Sequence, residues 1–203
     1  SRAERIRKGL DSLETELSIT ADEFDRILGL KTVKKGVVVK SNHDDFIDRW
    51  VRPYKFAKDP VNAEFGTILA ADIIKASKLG IRKDFFKTAL ELNGAPKQMD
   101  KIKWLSADED YVVGGIHLGA HGDRSSNGAR GSIKGLATSY PRCVIGHSHT
   151  PGIFKGAFQV GTTSLLRLGY NRGPSSWVHC SCLVYKNGQR QLINSIDGKW
   201  KIE

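Results

Sequence analysis

Two imidazoles stand one residue apart directly after a short apolar run in Arg142-Cys143-Val144-Ile145-Gly146-His147-Ser148-His149-Thr150-Pro151. Cys143 to Ile145 reads as a buried strand, and Gly146 lets the backbone turn before the two rings. Neutral imidazole is a common metal ligand, so the outline is that of a metal site at a strand end. Two further segments have the same build. Gly36-Val37-Val38-Val39-Lys40-Ser41-Asn42-His43-Asp44-Asp45 and Tyr111-Val112-Val113-Gly114-Gly115-Ile116-His117-Leu118-Gly119-Ala120-His121-Gly122-Asp123 each run from β-branched residues into a turn rich in potential ligands. Five of the six histidines therefore fall at three strand ends, which is where open α/β sheets place their sites.

Together these segments resemble the calcineurin-like metallophosphoesterase superfamily. Its later motifs read G-N-H-[DE], a His-Gly pair after a strand, and G-H-x-H. Here they stand in that order as Ser41-Asn42-His43-Asp44, His121-Gly122 and Gly146-His147-Ser148-His149, and the ordered triple is specific where any one motif alone would be weak. The resemblance covers the chain from Val37 onward. Ser41 replaces the usual glycine, and the family's first two motifs, D-x-H and G-D-x-x-D, are absent. The resemblance implies an α/β fold, a two-sheet metallophosphoesterase sandwich flanked by helices and incomplete at its amino terminus. Residues 1–34 would be a helical segment, and residues 35–203 the carboxyl-terminal part of the domain, with a helical insertion at 44–94.

The resemblance also implies two divalent metal ions, Mn2+ favoured and Fe or Zn2+ as alternatives. Asn42, His121 and His147 would hold one of them and His149 would belong to the other. His43 would stand beside the scissile phosphate, stabilising developing charge or protonating the leaving oxygen. Asp44 can accept the other ring N–H of His43 and raise its basicity, and can equally cap the following helix. Taken singly, Asn42 is as readily a turn residue and His147 or His149 a surface histidine. His117 shares the strand exit of His121 and could be the ligand instead, or an outer partner. Arg124 and Arg130 could contact a phosphate as forked donors or simply belong to a solvated loop. His179, within an apolar and aromatic strand, reads as a packed core residue.

The expected activity is hydrolysis of phosphodiester bonds, with DNA the favoured substrate. A phosphomonoesterase, or a nucleic-acid-binding module of the same fold without turnover, are the alternatives. The absent motifs would supply the remaining ligands, so the implied partner is an amino-terminal segment that carries them; the chain alone should bind metal poorly and hydrolyse little. The wording of Gly146–Pro151, Gly161-Thr162-Thr163 and Tyr170–Trp177 is similar to phage-encoded members of the family.

Composition is consistent with a polyanionic partner: 203 residues carry a formal charge of +10, a balance that favours association with nucleic acid. Three cysteines, none in a C-x-x-C pair, suggest neither a disulfide framework nor a thiolate zinc site. A reducing cytoplasmic setting follows, the host cytoplasm if the chain is phage-encoded. No membrane span or signal peptide is visible, although a chain opening at Ser1 within a helical pattern reads as a fragment or processed product.

The elements that must position these residues are legible from periodicity. Ile6, Leu10, Leu13 and Leu17 predict a helix from Ala3 to Leu17, and Thr20-Ala21-Asp22-Glu23 has the form of a capping box opening a second helix that closes at Gly29. Phe46, Ile47, Trp50 and Val51 predict a helix ending before Pro53. A further helix would start at Pro60 and stop at Gly80, and another would run from Lys83 to Leu92. Strands are expected at Val37–Val39, Ile102–Leu105, Tyr111–Ile116, Gly156–Val160, Trp177–Tyr185 and Gln189–Ser195, the last two joined by a Lys186-Asn187-Gly188 turn. A short helix should follow the loop that begins at Asp123.

Overall fold

A computed structural model describes residues 11–168, 171 and 173–201. Positions 3–10 of the first expected helix, Ile6 and Leu10 among them, and Tyr170 and Arg172 lie outside the described residues. The chain is of mixed α/β class and divides into two compact units, one of residues 1–38 and 42–104, the other of residues 39–41 and 105–203.

In the first unit, helix α1 is continuous over Leu13–Leu28 and is capped by Ser12, whose side chain accepts from the Thr15 N–H. The expected break at Thr20 does not occur. The Thr20 hydroxyl donates back to the Glu16 carbonyl at 2.8 Å instead of starting a new helix. Leu17, Ala21 and Leu28 form one buried stripe across that point, and burial of an unbroken apolar face outweighs a local cap. Strand β1 (Gly36–Val38) leads into helix α2 (Asp45–Val51).

Helix α3 (Ala63–Lys78) begins three residues after Pro60, with Asn62 at its N-cap, and gives way to Leu79 and a left-handed Gly80. Asn62 spends its side chain on the chain entering α1, accepting from the Leu13 N–H at 2.7 Å and donating to the Asp11 carbonyl at 2.8 Å. Helix α4 (Phe85–Leu92) is capped by Asp84, which accepts from the Lys87 N–H. Strand β2 (Ile102–Trp104) then pairs parallel to β1. One core joins α1 to the later helices: Leu17 and Ala21 pack with Val51, Phe65, Leu69 and Leu90.

The second unit is built on a five-stranded sheet of order β3-β4-β5-β7-β6. The expected strand at Tyr111–Ile116 is instead a tight hairpin of β3 (Val112–Val113) and β4 (Ile116–His117). Gly114 and Gly115 both have positive φ, 56° and 74°, the two-residue turn whose twist matches antiparallel strands. Helix α5 (Ile133–Ser139) covers β5 (Cys143–Ile145), and a strand absent from the sequence reading, β6 (Gly152–Phe154), pairs with β7 (Ala157–Gln159). Leu136, Cys143, Ile145 and Ala157 form its core. A separate antiparallel ribbon joins β8 (His179–Val184) to β9 (Arg190–Ser195). From β9, Arg190 donates to the carbonyls of Cys143 and Gly156 at 2.9 and 2.5 Å, latching the ribbon to the start of β5.

Candidate functional site

Strands β4 and β5 are parallel neighbours, so the segments leaving them emerge at the same edge of the sheet. That arrangement brings together two of the residues singled out above. The His121 and His147 rings lie with centroids 5.2 Å apart, edge to face, and the Gly146 N–H donates to the His121 carbonyl at 2.8 Å, tying one exit to the other. His149, two residues on, packs its ring against Trp177 at 4.3 Å.

The backbone carrying these rings is unusual. His147 and His149 both have positive φ, 70° and 62°, a region that costs an L-residue about 1–2 kcal/mol. The Ser148 N–H donates to the Gly146 carbonyl at 2.9 Å, making His147 the centre of a γ-turn of the rare, strained hand. Such conformations persist only where surrounding contacts hold them, and they cluster at functional sites. Here the contacts are visible: Val178 donates to the His149 carbonyl, Gln159 to the Thr150 carbonyl at 2.7 Å, and the Thr150 and Ser176 hydroxyls meet at 2.7 Å.

Asn42, His43 and Asp44 lie in the other unit, on the turn between β1 and α2. His43 is exposed and stands edge-on to Phe46 at 5.4 Å. Asp44 occupies the N-cap position of α2, but its side chain makes no capping hydrogen bond. The turn is clamped by Arg49, which donates to the carbonyls of Asn42 and Asp45 and lies over the Phe46 ring at 4.7 Å. Sequence reasoning missed Arg49; its signal was position, one turn after Asp45 and two after Asn42.

His117 is held away from ligand duty on one side. Its Nδ1 meets Asp110 Oδ2 at 2.5 Å, and its ring lies 5.0 Å from Tyr140. Asp110 also accepts the N–H groups of Tyr111 and Gly119. Burial works to raise the Asp110 carboxyl, but the His117 contact and the two backbone donors prevail and hold it below its usual range. A carboxyl depressed in the folded state adds stability that is full above its unfolded value, about 3.9, and is lost as pH falls through the lower folded value. Asp110→Asn should therefore melt below the parent protein at pH 5–7, and the gap should close as pH is taken below about 4; a gap independent of pH in thermal melts would contradict this.

Arg124 and Arg130 face each other across an antiparallel bridge on an exposed loop, with Arg124 at 3.6 Å from Asp123. The loop is pinned at its neck, where Gly131 N–H donates to the Asp123 carbonyl at 2.8 Å. A Cβ on Gly131 would lie 1.9 Å from the Gly122 carbonyl, so any side chain there must push the backbone next to His121. Gly131→Ala should lower stability by about 1–3 kcal/mol, read by denaturant titration.

His179 is half-buried, its Nε2 at 2.9 Å from the Ser164 carbonyl, a hydrogen-bonded strand residue and not a fully packed one. Burial pushes the Cys143, Cys180 and Cys182 thiols up, which keeps them protonated at neutral pH and leaves nitrogen and oxygen as the donors on offer. Among the described residues, no three His, Cys, Asp or Glu side chains cluster as a complete metal-ligand group. The adjacent His121 and His147 imidazoles fit part of such a site. No helix among the described residues is long and apolar enough to cross a membrane.

The chain is similar to Protein A1 of Escherichia phage T5, with 34% identity over 170 residues. The match takes in 81% of this chain but only 30% of Protein A1, so the chain spans under a third of the length of that relative. No family model matches the chain, and no solved structure does.

Proposed function

We propose that the chain is the carboxyl-terminal part of a metal-dependent phosphoesterase of the calcineurin-like two-sheet class, acting on phosphodiester bonds of DNA. The observation that carries this reading is the paired His121 and His147 rings at one sheet edge, with His147 and His149 on left-handed backbone. Strained backbone around exposed-edge imidazoles has no packing purpose and suits a site where ring direction matters. The similarity to a phage protein and the net charge of +10 favour nucleic acid as substrate and the host cytoplasm as setting.

In this reading His121 and His147 provide neighbouring donors, with Asn42 and His149 as the further ligands. A D-x-H and G-D-x-x-D segment supplies those absent from this chain. When bound, a divalent pair, Mn2+ first among candidates, would supply an activated water and offset phosphate charge. The residues of this chain do the rest. Trp177 braces the His149 ring, the γ-turn aims His147, and His43, exposed on a turn clamped by Arg49, gives a proton to the leaving oxygen. Arg124 and Arg130 offer guanidinium forks to flanking phosphates.

The direct test is elemental analysis and cleavage of duplex DNA with Mn2+, on the chain alone and with an amino-terminal segment carrying the two missing motifs. Metal uptake and cleavage that depend on that segment are expected. Hydrolysis of a nitrophenyl monoester but not the bis-ester would move the substrate to phosphomonoesters, and failure to take up metal with the segment present would end the reading.

A further inference from the structure

Next to His43 the first unit contains a cavity of 730 Å³, large enough for a nucleotide-sized ligand. Its walls combine two chemistries. Trp50, Phe46 and Phe86 provide flat apolar surface, while Asp11, Glu16, Asp44 and Asp59 provide carboxylates. Among the described residues no lysine or arginine lines it, in a chain with 32 basic and 22 acidic side chains. A phosphate would be repelled there. The occupant must be flat and must offer N–H donors.

Building on the phosphoesterase reading, we propose that this cavity binds a nucleobase, guanine by preference, of the nucleotide adjoining the phosphate that His43 serves. An ionised carboxylate accepts at both oxygens and donates nothing. Guanine is the base whose pairing edge presents two adjacent donors, N1–H and the 2-amino group, and so meets a carboxylate with two parallel hydrogen bonds. Cytosine and adenine place an acceptor beside their amino group, and thymine flanks its single N–H with carbonyls, all of which a carboxylate repels. Aromatic walls take the faces of any base, so the carboxylates set the preference. The acidic wall is rigid where it counts, because Asn62, itself 6% exposed, ties Asp11 and Asp59 together through its side-chain amide. The Phe46 ring that lines the cavity also stands against His43, which places the base beside the reacting group.

The test is calorimetric titration of the metal-free chain with 2′-deoxyguanosine, 2′-deoxyinosine, thymidine and spermidine, none of which carries phosphate. Saturable binding of deoxyguanosine is expected, about tenfold or more tighter than deoxyinosine, which lacks the 2-amino group, and than thymidine. Thr20→Trp, which fills the cavity from the exposed side of α1, should abolish it. Glu16→Gln should weaken it several-fold, with melting curves showing that both variants fold. Equal binding of deoxyguanosine and deoxyinosine, displacement of deoxyguanosine by spermidine, or retained binding in folded Thr20→Trp would overturn the inference. The two readings fail separately. Metal-dependent DNA cleavage without deoxyguanosine binding removes only the base site, and deoxyguanosine binding without cleavage removes only the hydrolytic reading.

Discussion

His147→Gly and His147→Ala are expected to lose metal and DNA cleavage alike, yet to differ in stability. Both remove an imidazole that stands beside His121. Loss of a group that merely orients a metal ligand typically costs about 10–100-fold, so loss of a ligand should cost at least about 100-fold in turnover. The stability difference comes from the backbone. At φ 70° alanine keeps the left-handed penalty and glycine does not, so the glycine variant should be more stable than the alanine variant by about 1 kcal/mol. Glycine's larger unfolded-state entropy trims that difference without reversing it. Denaturant titration reads the stability, elemental analysis the metal, and both belong on the protein completed with its missing donors. Full metal content and unchanged cleavage in either variant would show that the γ-turn serves something other than ligation.

The second large effect is expected at His43. The residue is exposed, so His43→Ala should change stability by no more than about 0.5 kcal/mol and leave metal content intact. Turnover on DNA should fall by about 10²–10⁴-fold, the usual contribution of a positioned acid. The leaving group supplies the control that a merely structural role would fail. An alkoxide leaving from deoxyribose needs a proton, whereas nitrophenolate is stable without one. The loss on a nitrophenyl bis-ester should thus be far smaller than on DNA. A parallel loss on both substrates would assign His43 to phosphate charge and not to the leaving oxygen; loss of metal with turnover per metal retained would make it a ligand.

Where local signals were strong, they predicted the elements well. Gly29 follows the last residue of α1, α2 ends before Pro53, and the Lys186-Asn187-Gly188 turn joins β8 to β9. These features depend on a few adjacent residues whose backbone options are narrow. Thr20 shows the opposite case. Its capping-box pattern was real, but the partners that bury Leu17 and Ala21 come from Val51, Phe65 and Leu69, far along the chain, and tertiary burial overrode the local preference. The Gly114-Gly115 turn was readable in principle, but the β-branched residues around it masked two very short strands as one.

The sequence by itself determined the chemistry on offer: imidazoles after short strands, thiols too buried and too badly spaced to compete, and a basic surface. Residue type and spacing are local properties, and they survive any arrangement of the fold. Only the tertiary structure decided which imidazoles meet. Parallel pairing of β4 with β5 sets His121 beside His147, Asp110 claims His117, and long-range hydrogen bonds hold His147 and His149 in a backbone state their own sequence disfavours. The acid-walled cavity belongs to the same class, because Asp11 and Asp59 become neighbours only through Asn62. Proximity between distant residues is set by how the whole chain buries its apolar surface, which no short window of sequence encodes.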